Sequence, residues 1–246
     1  FREFLRFKQN PVKSEVLSAP LNEAAHLVLD RYYEEYLRFG GFPGVVLKES
    51  TREKEMMLDD VFSSYFQMEV TQLGDFRKTG VVRDLILLLM ERCGSRLDIQ
   101  KLSKELGVAR ETVGNYLAFL ESTYFISLVR PFSRNRDTEI RSMAKVYLCD
   151  TGLLQRFSRL PEGALFENAV YSQLRSKGLI NYYQRKSGVE IDFIVDEKVA
   201  YEVKLTADER DVRRLKNLCS DLQLTDYRIV ARKFSPLENV IYGCML

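Results

Sequence analysis

Residues 188–205 read GVEIDFIVDEKVAYEVKL, two alternating runs joined by the charged triplet Asp196-Glu197-Lys198. Side chains on a strand point alternately to its two faces. The first run therefore sorts Val189, Ile191, Phe193 and Val195 from Glu190, Asp192 and Ile194. The second sorts Val199, Tyr201, Val203 and Leu205 from Ala200, Glu202 and Lys204. This pattern predicts a hairpin whose apolar faces bury against helices while its charged faces meet. A three- or five-residue loop sets Val195 opposite Val199, Asp192 opposite Glu202 and Glu190 opposite Lys204. A two-residue loop would oppose apolar and charged faces, and register is strongly specified against such a slip. The triplet lacks the glycine that three-residue hairpin loops favour.

That register has a chemical consequence. Glu190 and Lys204 form a favourable pair, but Asp192 and Glu202 become like charges with Cβ atoms about 5 Å apart, a destabilising arrangement unless neutralised. A divalent cation neutralises it: Mg²⁺ takes hard oxygen ligands and keeps several waters. Such an ion lowers the pKa of a bound water and stabilises charge on a phosphate under attack. Lys204 would orient that water or offset developing charge, and Glu167, on the preceding helix, would complete the shell. An ExK on a strand serves equally as an exposed salt-bridging face, so both readings stand.

Upstream, residues 1–75 read as helical, with apolar residues at three- and four-residue spacing over Leu27–Phe39 and Glu53–Leu73. Between them Gly40-Gly41-Phe42-Pro43-Gly44 is a rigid break, and it lacks the GxxxxGK[ST] pattern of a nucleotide-binding loop. Over residues 76–150, Val81–Arg92 is a strongly apolar helix, Asp98 caps a second that ends at Gly107, and Arg110–Glu121 forms a third. Leu102, Leu106, Val108, Val113, Leu117 and Leu120 then fall at core positions. Two strand-like segments, Tyr124–Val129 and Ala144–Cys149, flank a loop with Arg130, Arg134, Arg136 and Arg141, and Lys145 lies close by. This arrangement resembles a winged helix with a basic wing. The third helix would expose Glu111, Gly114, Asn115 and Ala118, with only Arg110 adding positive charge, so packing is favoured over base reading.

From Glu162 the expected order is helix, three strands, helix, strand. Leu165, Ala169, Val170 and Leu174 form the inner stripe of a helix over Ala164–Ser176, and Asn181–Lys186 reads as a strand. Val212, Leu215 and Leu218 pack a later helix, leaving Arg213 and Lys216 on a solvated face.

A chain of 246 residues accommodates one large domain or two to three small ones. No apolar run approaches the length of a membrane span, and Leu85–Met90 suits a buried helix. The four scattered cysteines include no CxxC pair, which favours reduced thiols in a cytoplasmic protein over a zinc site. The single histidine, His26, lies in an amphipathic stretch and reads as structural. With a net charge of +2, any nucleic-acid contact must come from a local patch.

The segments YLRFGGFPGVVL, ETVGNYLAFLESTYFI, KVYLCDTGLL, GALFENAVYSQLR, YYQRKSGVEIDF and YEVKL resemble, in the same order, the carboxyl-terminal region of a large family of prokaryotic AAA+ ATPases. That region carries an uncharacterised domain with a PD-(D/E)XK nuclease-like end, and the resemblance runs from about Tyr33 to Leu205. It implies an α+β multidomain chain: a helical region over residues 1–75, a winged helix over 76–150 and a PD-(D/E)XK nuclease-like domain over 151–246. FREFLRF resembles the end of the ATPase core. An ATP-binding domain is thus expected upstream, as partner and as the only route to ATP, since this stretch has no P-loop. The nuclease-like positions carry over as Glu167 in FENAV, Asp192 in GVEIDF, and Glu202 with Lys204 in YEVKL, with Mg²⁺ or Mn²⁺ as cofactor. One departure is Gln184, in place of an arginine after the aromatic pair; Arg185 or Lys186 would substitute. The implied activity is metal-dependent cleavage of DNA phosphodiesters, without membrane contact. Expected DNA contacts are Arg134, Arg136 and Arg141 in the wing, with Arg110 and Arg185. The alternative is a non-catalytic DNA-docking or protein-interaction module that keeps the nuclease fold.

Overall fold

Local signals start most of the helices. In the computed structural model, which describes residues 1–8, 21–73, 79–133, 142–185 and 187–246, a short helix α1 (Arg2–Phe7) precedes α2 (Glu23–Phe39). Asn22 caps α2 by accepting from the Ala25 N–H at 2.8 Å, and Leu29, Tyr33, Tyr36 and Leu37 form its buried stripe. The glycine-rich break holds one further turn, α3 (Pro43–Val46), with proline at its first position. A capping box between Ser50 and Glu53 opens α4 (Thr51–Tyr65). The single helix expected over residues 53–73 ends there and continues as a wider π-helical segment, Phe66–Leu73.

Three helices and a hairpin follow. They are α5 (Thr79–Glu91), α6 (Ile99–Leu106), α7 (Arg110–Ser122), β1 (Ile126–Val129) and β2 (Lys145–Leu148). Asp98 caps α6 through the Lys101 N–H, and Gly107 ends it at φ +65°, a left-handed conformation that glycine adopts without penalty. Val82, Leu85, Ile86, Leu89, Leu102, Val113 and Leu120 are fully buried. β1 and β2 pair antiparallel, Ile126 opposite Leu148. The α5–α6 connection runs along the other edge of β2: the Gly94 N–H donates to the Val146 carbonyl at 2.8 Å and the Leu97 N–H to the Ala144 carbonyl at 2.8 Å.

The last part holds α8 (Thr151–Phe157), α9 (Glu162–Leu174), α10 (Glu209–Leu222) and a five-stranded sheet. Its strands β3 (Ile180–Gln184), β4 (Glu190–Val195), β5 (Val199–Lys204), β6 (Asp226–Ala231) and β7 (Val240–Tyr242) lie in sequence order. The first three are antiparallel; β6 and β7 join in parallel, so the sheet is mixed. Only one strand was expected after α10; β7, with three residues, is too short to show alternation.

Asp150 ties the glycine-rich break to this part. Its carboxylate accepts from the Gly41 N–H at 2.8 Å, from Gly152 at 2.8 Å and from Leu153 at 3.3 Å, capping α8 while holding the end of α2. Gly40, at φ +75°, packs against that carboxylate, and a Cβ on Gly152 would collide with the Phe39 carbonyl. Buried side chains from Phe4 to Leu246 belong to one continuous hydrophobic cluster. No helix among the described residues is long and apolar enough to cross a membrane.

Candidate functional site

The hairpin register decides where the acidic residues go. Val195 pairs with Val199 and Phe193 with Tyr201 across the loop Asp196-Glu197-Lys198, as the alternation predicts. Asp196 and Glu197 take φ of +50° and +56°, the turn being made without glycine. Regular pairing stops at Phe193–Tyr201, and beyond it the Asp192 carboxylate itself takes the Val203 N–H at 2.7 Å. Asp192 is thereby brought beside Glu202.

The faces are buried differently from the expectation. β4 is covered on both sides, and on β5 it is Ala200 and Glu202 that are buried while Val199, Tyr201 and Val203 are half-buried. Compensation makes this possible: Glu202 is 2% exposed, and its Oε1 meets the Lys204 ammonium at 3.0 Å and the Arg214 guanidinium of α10. The predicted Glu190–Lys204 pair is replaced. Lys204 turns to Glu202, and Glu190 meets Lys145 at 3.6 Å.

Glu167 arrives from α9, and Asn168 explains how. Fully buried, Asn168 accepts from the Leu148 N–H at 2.9 Å, donates to the Leu148 carbonyl at 3.2 Å and accepts from Cys93 Sγ at 3.1 Å, fastening α9 to β2. Its neighbour Glu167 then accepts from Tyr147 Oη at 2.6 Å and stands 3.5 Å from Lys145 Nζ. Lys145 was expected in the basic wing; instead it is 3% exposed, with its ammonium 3.6 Å from Glu190 and 4.0 Å from Asp192 as well. The KVYL alternation carried this signal, because it puts Lys145 and Tyr147 on one face of β2.

Burial and mutual repulsion perturb the carboxyls. Burial, then the charge of Asp192, raises Glu167 to about 7 against the pull of Lys145. Burial and Asp192 likewise raise Glu202 to about 7, with Lys204 and Arg214 opposing. Asp192 is raised chiefly by burial. Burial lowers Lys204, but Glu202 and Asp192 more than offset it, holding the ammonium charged.

Carboxylate oxygens are the donors that a hard divalent cation takes. Glu202 Oε2 is buried and without a hydrogen-bond partner, an acceptor for such an ion. Among the described residues, however, no three His, Cys, Asp or Glu side chains converge closely enough to hold a metal ion. Lys145 already provides part of the positive charge that a metal was invoked to supply.

The other predicted positions lie apart. Arg110 is exposed at the start of α7, beside a cavity of about 310 Å³ that Asp98 and Arg130 also line. Arg185 is paired with Asp221 at 2.7 Å, and Gln184 donates to Glu190 at 3.2 Å. Arg134, Arg136, Arg141 and Lys186 lie outside the described residues. His26 is buried against Tyr242 and Phe234, as a structural histidine would be.

The chain is 28% identical over 246 aligned residues to the uncharacterized protein MJ1544 of Methanocaldococcus jannaschii, covering 93% of this chain and 54% of that one. It is 27% identical to an uncharacterized protein of Haemophilus influenzae, over 80% of this chain and 53% of the other. With the uncharacterized protein Rv2008c of Mycobacterium tuberculosis it shares 26% identity, over 78% and 47%. The chain thus spans about half the length of the curated relatives it matches. No solved structure matches it. Residues 162–236, which carry Glu167, Asp192, Glu202 and Lys204, match a domain of unknown function, DUF4143. Residues 30–163, more than half of the chain, match a domain of unknown function, DUF8612, and the chain belongs to that family.

Proposed function

We propose that this chain is the accessory part of an AAA+ ATPase-family protein, with a PD-(D/E)XK nuclease-type site acting on DNA phosphodiesters. In this reading α5–α7 with β1 and β2 form a winged helix, and ATP is bound only by a domain upstream. One observation carries the reading. Burial and the charge of Asp192 raise both Glu167, on a helix, and Glu202, on a strand, to about 7, and the Lys204 ammonium lies 3.0 Å from Glu202. Perturbed acidic groups gathered with a cation in one place make a candidate functional site.

Asp192 and Glu202 would hold Mg²⁺ or Mn²⁺, with Glu167 completing the set. An ion held there would supply water activation and charge stabilisation at the phosphate. Arg214 holds Glu202 in place, and Lys204 offsets negative charge arising on the phosphate. The test is plasmid nicking in Mn²⁺ or Mg²⁺ by the wild type and Asp192→Asn. Nicking lost in the variant supports the enzyme; equal background from both removes it. A coding sequence upstream of Phe1 without a P-loop would remove the ATPase-family part.

Lys145 favours a second reading. Its ammonium among Glu167, Glu190 and Asp192 compensates the cluster without a metal, which suits a non-catalytic DNA-docking module. That module would show salt-sensitive DNA affinity, weakened by charge reversal at Arg134 and Arg136, and no nicking.

A further inference from the structure

We infer that the outer face of α10 is a docking track for the phosphate backbone of DNA, leading to Lys204 at the edge of the acidic cluster. The inference rests on the DNA reading that both proposals above share, and it needs no metal ion. Arg210, Arg213, Arg214 and Asn217 follow one another at spacings of three and four residues, so they stand in one row along α10, with Lys216 beside them. All five are exposed, while Leu215, Leu218 and Cys219 anchor the opposite face.

The acids nearest this row are mostly engaged. Asp208 and Asp211 accept one another's backbone N–H in the capping box that starts α10, and Asp221 pairs with Arg185 at 2.7 Å. Arg213 donates to the Glu209 carbonyl at 3.3 Å, a group without net charge. Among the described residues, Arg210, Arg213 and Lys216 take part in no ion pair. Their charges are therefore open to an anion from solvent.

Arg214 joins the row to the cluster. Its guanidinium and the Lys204 ammonium, the latter at 3.0 Å, both meet Glu202 Oε1. One carboxylate thus faces two cations, whose side chains stay 42% and 31% exposed. Like charges held together repel, and an anion arriving between them relieves the repulsion. Arginine and lysine clustered along one helix face are the electrostatic footprint of backbone binding. Such contacts position a duplex without reading its sequence. A strand laid along α10 would bring a phosphate to Lys204, where the proposed chemistry needs one.

The test is fluorescence anisotropy of a labelled DNA duplex titrated with the full chain at several salt concentrations. EDTA is present throughout, which keeps metal and cleavage out of the measurement. Each lost phosphate contact lowers the slope of log affinity against log salt by about 0.9. Arg210→Glu combined with Arg213→Glu should therefore flatten the slope by about 2 and weaken binding roughly tenfold or more. Glutamates near the start of a helix suit its dipole, so this pair leaves α10 folded. Glu209→Lys, on the same face, should tighten binding several-fold, a gain that misfolding cannot produce. Wild-type affinity and slope in the glutamate pair, or no gain in Glu209→Lys, overturn the track while DNA binding by another surface stands. No binding by the wild type overturns the track together with the DNA reading.

Discussion

Tyr147 donates its hydroxyl hydrogen to Glu167 Oε1 at 2.6 Å, joining the hairpin of the first family region to the acidic cluster of the second. Tyr147 is fully buried, so Tyr147→Phe removes this donor without opening solvent access. The change should cost roughly 1–2 kcal/mol. It should also raise Glu167 further above its value of about 7, because that hydrogen bond lowers it. Carbon-detected NMR titration of the Glu167 carboxyl checks this; an unmoved midpoint would contradict the pairing.

Lys145→Met leaves three carboxylates without their shared ammonium. Removing one partner of a buried ionic group costs about 3–5 kcal/mol. Urea denaturation at neutral pH should show a loss of that size, shrinking in acid as the carboxylates take up protons. A loss that stays constant with pH would place the destabilisation in packing.

Glu167 also sets a pH dependence. Its pKa in the folded protein, about 7, lies above its ordinary 4.5, so the folded state keeps the proton longer. The stability from this group is complete below pH 4.5 and is lost as pH rises towards about 7, because the unfolded chain binds fewer protons over that interval. Glu167→Gln cannot ionise and should flatten this decline, gaining on the wild type as pH rises. Parallel stability curves for the two proteins would refute the raised pKa.

Asp150→Ala orphans the N–H groups of Gly41, Gly152 and Leu153 together. Unsatisfied buried donors cost about 1–3 kcal/mol each, and the loss should reach roughly 3 kcal/mol. Gly152→Ala attacks the same knot by collision with the Phe39 carbonyl. Both variants should melt well below the wild type; a melting point near wild type for either would mean that the knot relaxes freely.

Most of the helices and the hairpin register were legible along the chain because their causes are local. Asp98 and Gly107 bound α6 by capping chemistry, and strict alternation from Glu190 to Lys204 leaves one register that keeps like faces together. Strand alternation also put Asp192, Glu202 and Lys204 forward as one charged group, with Glu167 on the preceding helix.

Tertiary structure decided what surrounds them. Lys145 lies 22 residues from Glu167 in sequence, and the Asn168 clamp on Leu148, with the Tyr147–Glu167 bond, brings its strand to α9. Burial of Glu202 rests on Arg214, which comes from a separate helix, and α8 starts where Asp150 meets a glycine pair more than a hundred residues away. Period and caps are properties of neighbouring residues. The counter-charge of a buried carboxylate depends on which distant element packs against it, and only the folded chain makes that choice.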